Sequence, residues 1–278
     1  MFGKIQQKNL KVENRTAPFT YQGINAFQSR LSIQFNNPEI LETALTHKSH
    51  KNHIQSNEKL EWLGKRAINL YVGEYIDAKY PNLPTDMLQS LSQYFFGTHA
   101  LSSLAKSFGM QYLVRWEAPL SLEDSRVGES KVLGKSIQAL VGAIYKDQGR
   151  DCAKEFIHKH ILSQPVDPVV IMNFDQPKRM LVALAKRKNL ERPVSRLLKE
   201  TGRFTTSPVF IVGMFSGVSK IGEGFGSSIK MAEFRAAKDA LTRYYGKEEK
   251  DFILPSITDS DTNAEFQPNP LKDTPAYL

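Results

Sequence analysis

The stretch Asn57-Glu58-Lys59-Leu60-Glu61-Trp62-Leu63-Gly64-Lys65 constrains this chain most, because it reads as one helix carrying two different stripes. Leu60, Leu63, Ala67, Leu70 and Tyr71 recur at helical spacing and predict an apolar face turned to a core. Glu58, Glu61 and Lys65 follow at i, i+3 and i+7, so they share a second face, where groups meant to converge on one point would be placed. The helix is expected to end by Lys79, before Pro81 and Pro84.

Around it, residues 21–164 read as helix after helix. Pro38 suits a first helical turn ahead of Ile40, Leu41, Ala44 and Leu45. A helix starts at Thr85 or Asp86, another runs from His99 to Phe108, and Gly109 to Glu129 is a connector. Ser130 to Lys146 is helical, with Leu133, Ile137, Leu140, Val141 and Ile144 buried and Ala139, Gly142 and Ala143 permitting close helix contact. Asp151 to Leu162 closes this part. Residues 165–175, with two prolines and no period, form a linker. Residues 176–246 then change pattern: a helix from Pro177 to Asn189, strand-like runs at Val194–Thr201, Pro208–Ser216 and Val218–Phe225, and a helix from Ser228 to Tyr245 built on Ala232, Ala236, Ala237, Ala240 and Leu241. Residues 247–278 are polar, acidic and proline-bearing, and are expected to lack structure of their own.

Charge separates the ends from the middle. After position 246 there are three basic and seven acidic residues, against 34 and 22 before it. Residues 1–246 are therefore strongly basic, which favours a polyanionic partner. Cys152 is the only cysteine, so no disulfide framework exists and a reducing compartment suits the chain. No apolar run is long enough to predict a membrane span. Residues 1–20 carry Lys4, Lys8, Lys11 and Arg15 against Glu13, a basic extension that reads either as a transit peptide or as an irregular arm for phosphate contacts. His47, His50 and His53 stand three apart, but with no cysteine nearby and Lys48 and Lys51 between them a structural role is expected and no metal site.

The stretch from Asn57 to Lys65 resembles the signature helix of the ribonuclease III family, Asn-Glu-Arg-Leu-Glu-Phe-Leu-Gly-Asp, and Thr46-His47-Lys48-Ser49 resembles that family's Leu-Thr-His-Arg-Ser. The segment Gly224 to Ala232, within an α-β-β-β-α order, resembles the double-stranded RNA-binding domain. The resemblance implies an all-α ribonuclease III-like domain at 21–164 followed by an α+β (α-β-β-β-α) double-stranded RNA-binding domain at 176–246. Family nucleases hydrolyse phosphodiesters with divalent metals held by acidic side chains from two helices. By motif, those four acids fall here on Glu61, Lys65, Lys135 and Gln138, with Glu58 beside them; only one of the four is an acid.

Two lysines repel a cation and an amide is a weak ligand, so metal loading is expected to fail, leaving no cofactor and no nuclease activity. Lys65 and Lys135 are expected either to pair with Glu58 and Glu61 or to be ordinary exposed lysines. In the second domain the residues expected to contact RNA are Lys178, Arg179, Lys186, Arg187, Lys188, Arg203, Ser228 and Lys230, with Glu233 where the family usually has another lysine. Family members dimerise through the aromatic of the signature helix, which places Trp62 and Leu63 at an interface; the alternative is that Trp62 fills its own core. The function this implies is a structural RNA-binding component of the mitochondrial ribosomal large subunit, in the matrix. Its expected partners are ribosomal RNA, other large-subunit proteins and a second ribonuclease III-like subunit, or else a second copy. A processing ribonuclease or its inactive cofactor, and a regulatory duplex-binding protein, are the alternatives.

Overall fold

The computed structural model describes residues 21–50, 55–117, 125–164, 166, 171–203 and 205–257. The basic extension, His53, the middle of the linker and residues 258–278 lie outside them. The chain divides into two compact units, Met1–Tyr71 with Phe95–Gln164 and Val72–Tyr94 with Pro165–Leu278.

Among the described residues the first unit is built of helices, as expected. It holds α1 (Tyr21–Leu31), α2 (Pro38–Ala44), the first part of α3 (Glu58–Lys79), α5 (Thr98–Ser107), α6 (Ser125–Gln148) and α7 (Arg150–Phe156), which runs on into a π-helical turn at Ile157–Ile161. The intervening α4 (Thr85–Phe96) belongs almost wholly to the second unit. α6 is the central element because it is apolar on nearly every side: Leu133, Ile137, Leu140, Val141 and Ile144 have no exposed surface. α2 starts where its caps allow. Asn37 accepts the amide of Glu39 at 2.9 Å, while Asp147 at the end of α6 accepts the amides of Asn36 and Asn37 at 2.7 and 3.0 Å.

α3 and α6 cross with their backbones in contact. A methyl group on Gly64 would lie 1.8 Å from the carbonyl oxygen of Gln138, and one on Gly142 would lie 2.1 Å from that of Leu60. Each glycine thus fits against the other helix's backbone, the closest approach two helices can make. Of the stripe expected to face the core, Leu60, Ala67 and Tyr71 are buried and Leu63 is half-buried, but Leu70 is 64% exposed. Its place inside is taken by Ile68 and Val72, since a 3.6-residue period turns position 70 away from a seam that runs through 60, 64, 67, 68 and 71.

In the second unit α8 (Pro177–Arg187), β1 (Val194–Thr201), β2 (Val209–Ser216), β3 (Ser219–Gly226) and α9 (Ile229–Tyr245) follow the expected order. The strands form an antiparallel sheet in the order β1-β2-β3. α8 begins with Pro177 and closes through Asn189, whose φ of 53° is the left-handed conformation asparagine tolerates. Gly222, Gly224 and Gly226 alternate along β3 on the face under α9. A methyl on Gly224 would be 2.2 Å from the amide nitrogen of Ala236, so the glycine row of β3 and the alanine row of α9 (Ala232, Ala236, Ala240) are two halves of one close contact.

The expectation that the chain lacks structure from Lys247 fails for residues 247–257. Within the second unit Glu249 donates its amide to the Lys79 carbonyl at 2.9 Å, Glu248 accepts from the Tyr80 hydroxyl at 2.7 Å, Phe252 meets the ring of Tyr75 edge-on, and Leu254 is buried. The reason is apolar content without period: Leu254 is buried and Phe252 half-buried while Ile253 stays exposed, an arrangement no helix or strand pattern announces. At the linker's far end Met172 and Phe174 are also buried, with Phe174 stacked on Tyr245.

The glycine crossing yields a prediction. Alanine gains about 1 kcal/mol of helix propensity over glycine, but here its methyl would strike backbone that cannot rotate away. Gly64→Ala and Gly142→Ala should each lower stability by about 3 kcal/mol in urea unfolding, and an unchanged midpoint would show that the helices can separate at no cost.

Candidate functional site

Of the expected site residues of the first unit, Glu61 and Lys135 meet where α3 and α6 cross. Lys135 on α6 reaches across to Glu61 on α3, its ammonium 3.0 Å from one carboxylate oxygen and 3.3 Å from the other. Glu61 is well covered, its side chain 19% exposed, whereas that of Lys135 is 41% exposed. The separation follows from the crossing: Glu61 lies one turn before Gly64, and Lys135 two turns before Gly142. Gln138, half-buried, offers its backbone carbonyl to the glycine contact.

Lys65 behaves differently. It is exposed and makes no ion pair among the described residues. Glu58 is paired instead by Lys48, from the segment after α2, at 2.9 Å. The hydrogen bond from Lys48 holds the Glu58 carboxyl below its ordinary value, and the same bond holds the Lys48 ammonium above its own. Lys48 was not expected at the site. Its only signal is its place in the Thr46–Ser49 segment, since ten residues of chain separate it from Glu58.

That segment is fixed from two directions. His47 donates its amide to the Arg115 carbonyl at 3.0 Å, the Leu45 carbonyl accepts the Arg115 amide at 2.9 Å, and the side chain of Asn57 donates to the Ala44 carbonyl at 3.3 Å. His47 is buried with Nδ1 3.0 Å from the Ser49 hydroxyl. Burial, and next the nearby Lys135 ammonium, hold its imidazole below the ordinary value of 6.5. His50 lies 3.8 Å from Glu117.

A divalent cation at this place would need several hard oxygens free to turn inward. Glu61 gives both oxygens to an ammonium, Glu58 is held by a second ammonium, and among the described residues no three His, Cys, Asp or Glu side chains gather in metal-holding geometry. The residues present do not fit the metal that family nucleases use.

In the second unit the eight residues expected to contact RNA are not gathered at one point. Lys178 and Glu233 form a close ion pair, and Glu233 also accepts from the Ser195 hydroxyl at 2.8 Å; the Lys178 hydrogen bond first, and then that of Ser195, keep its carboxyl below the ordinary value. α8 and α9 run in the same direction, because Lys178 meets Glu233 near their starts and Lys188 lies 5.7 Å from the Tyr244 ring near their ends. Lys186, Arg187 and Lys188 therefore lie about 12 Å along α8 from Lys178. Arg179 is exposed on the first turn of α8 and Arg203 follows β1, 3.4 Å from Glu200. Ser228 caps α9, its hydroxyl accepting the Met231 amide at 3.2 Å, with Lys230 exposed beside it. The clamp by which Glu233 occupies Lys178 was missed, since the two are 55 residues apart.

Trp62 is 58% exposed, with the Arg66 guanidinium 3.7 Å above its ring, so it does not fill its own domain's core. Leu63 is half-buried beside it.

Comparison with known proteins adds to this geometry. A family profile described as ribonuclease-III-like matches residues 37–165, and one described as the MRPL44 dsRNA-binding domain matches residues 172–273. The large ribosomal subunit protein mL44 of Neurospora crassa is 44% identical over 122 residues, which are 44% of this chain and only 28% of that protein. Ribonuclease 3 of Borreliella afzelii is 32% identical over 231 residues, covering 78% of this chain and 90% of that one. Among solved structures, the nuclease domain of ribonuclease III from Campylobacter jejuni shares 27% identity at a TM-score of 0.43, over 50% of this chain and 99% of that one.

The electrostatics give a pH prediction. His47 and His160 are both held neutral, below the ordinary value, chiefly by burial. The unfolded chain therefore binds protons first as pH falls, so the stability these groups contribute is complete above about 6.5 and is lost below it. The urea midpoint should drop between about pH 7 and pH 5, and His47→Gln with His160→Gln should flatten that drop. An equally steep drop in the double variant would assign it elsewhere.

Proposed function

The chain belongs to the ribonuclease III family, and we propose that within it this protein is a structural, RNA-binding component of the mitochondrial ribosomal large subunit and not a nuclease. The observation that carries the loss of catalysis is the Lys135 ammonium on both oxygens of Glu61. A positive charge occupies the place where the reaction needs a cation with exchangeable water, and an ammonium carries no such water to activate as a nucleophile. The ribosomal part rests on likeness to the Neurospora mL44 protein and to the MRPL44 RNA-binding domain, together with the basic character of residues 1–246. The domain division proposed is 21–164 and 176–246 joined by a linker at 165–175, with extensions at 1–20 and 247–278. The matrix location comes with the same reading.

RNA contact is assigned to the second domain through Lys230, the amides at the start of α9, Arg179, Arg203 and the basic end of α8, while Lys178 is already neutralised by Glu233. Ribosomal RNA and neighbouring large-subunit proteins are the partners. A second reading, a ribonuclease III-type processing factor or its inactive cofactor, is favoured by the 32% identity to a ribonuclease 3 over nearly its whole length. One experiment separates them: the protein should sediment with large subunits through high salt, and the purified chain should leave duplex RNA intact with magnesium or manganese. Cleavage that Glu61→Gln abolishes would establish the nuclease instead.

Pairing is assigned to the exposed side of α3. Trp62, with Arg66 stacked on it, and Leu70 two turns on present apolar surface that a lone domain has no use for. The partner proposed is a second ribonuclease III-like subunit, with a homodimer as the alternative. Trp62→Ala should weaken pairing by about 2 kcal/mol or more without loss of helical circular dichroism. A variant that sediments as the same dimer in analytical ultracentrifugation would remove Trp62 from the interface.

A further inference from the structure

The sheet of the second unit has two faces, and its own core uses one. Phe210, Val212 and Met214 of β2 turn under α9 and are buried. The alternate residues of β2 point to the side away from α9, and among the described residues no second helix packs on β2. On that outer side Leu198, at the bulge of β1, and Phe215 close over Gly213: a methyl there would meet Phe215 Cε2 at 2.7 Å and Leu198 Cδ1 at 3.1 Å. Val194 stands opposite Phe215, and Phe225 opposite Ile211, so the apolar groups are contiguous. They are also open to solvent: Val194 is 52%, Leu198 44%, Val209 43% and Phe225 63% exposed. Scattered exposed apolar residues need no explanation, but a joined patch across three strands does.

The patch carries an excess of positive charge. Arg196 lies over the Phe215 ring at 4.8 Å and Arg235 over the Phe225 ring at 5.3 Å, and among the described residues each donates to a backbone carbonyl, of Gly217 and Phe225 respectively, and to no carboxylate. Lys199, opposite Ile211, pairs with no carboxylate among the described residues. Lys220 is matched by Glu223 at 2.7 Å. What is left over is positive.

We propose that this outer sheet face docks a protein partner whose contact surface is apolar at the centre and carries Asp and Glu around it. Arginine and aromatic groups at the middle of a patch, with charges of one sign at its rim, are what protein interfaces concentrate. RNA fits less well. The guanidinium groups already cover ring faces on which bases would stack, and the aliphatic groups of β1 and β2 offer bases no stacking at all. A second copy would bring the same cations against these, and like charges across an interface are unfavourable. The inference depends on exposure and charge alone, and stands whether or not the protein is ribosomal.

The test places the photo-crosslinking residue p-benzoylphenylalanine at Phe225, and separately at Val194, in the full chain expressed in its own cells. Val218, 93% exposed at the tip of the β2–β3 turn, serves as the control position. Both face positions should yield the same protein adduct, absent at the control, and the partner's crosslinked peptide should hold more acidic than basic residues. Arg196→Glu with Lys199→Glu should reduce that adduct several-fold without changing the melting temperature. Adducts with RNA, with a second copy or with residues 258–278 of the same chain would overturn the proposal. So would an absence of adducts, or a yield indifferent to the charge reversal.

Discussion

The first unit depends on a crossing at which neither helix has a side chain. With Gly64 against the Gln138 carbonyl and Gly142 against that of Leu60, the axes of α3 and α6 approach as closely as backbones permit. Anything standing one or two turns away on the facing sides is thereby brought within reach of its counterpart. In a nuclease of this family the geometry would bring together carboxylates for a metal. Here it delivers an ammonium to a carboxylate.

An ammonium where family nucleases place a metal meets the same electrostatic need with different chemistry. Glu61, largely covered, would be costly to leave unpaired, and Lys135 supplies the charge that a cation otherwise would. Because Lys135 is partly solvated, the net gain is modest, about 1 kcal/mol. Its value is local order. Lys48 with Glu58 and the buried His47 with Ser49 extend the arrangement into the segment before α3, which backbone bonds to Arg115 hold in place.

The second unit separates its work by face. Small residues, the glycines of β3 and the alanines of α9, let helix and sheet meet closely enough that the core needs few large side chains. The helical side carries Lys230 and the capped start of α9, with Glu233 withdrawing Lys178 from solution contacts. The sheet side carries aromatic rings under arginines. On the reading proposed above, nucleic acid would be held on the first side and protein on the second.

What the sequence determined by itself is whatever depends on neighbours along the chain. Helical period placed α3, α6 and α9; Pro38, Pro177 and Ser228 marked helix starts; strand-like runs placed β1, β2 and β3; and the motif positions grouped Glu58, Glu61, Lys65, Lys135 and Gln138. Tertiary structure alone decided the rest. It showed that Lys48, and not Lys65, answers Glu58, that Glu233 takes Lys178, that Leu70 and Trp62 face outward, and that residues 247–257 pack on the end of α3. The physical reason is range. Caps and periodicity act over a few residues and leave a trace in spacing, whereas an ion pair or an apolar contact between distant segments depends on where two backbones arrive, and a long flexible side chain such as lysine can meet any carboxylate within its reach.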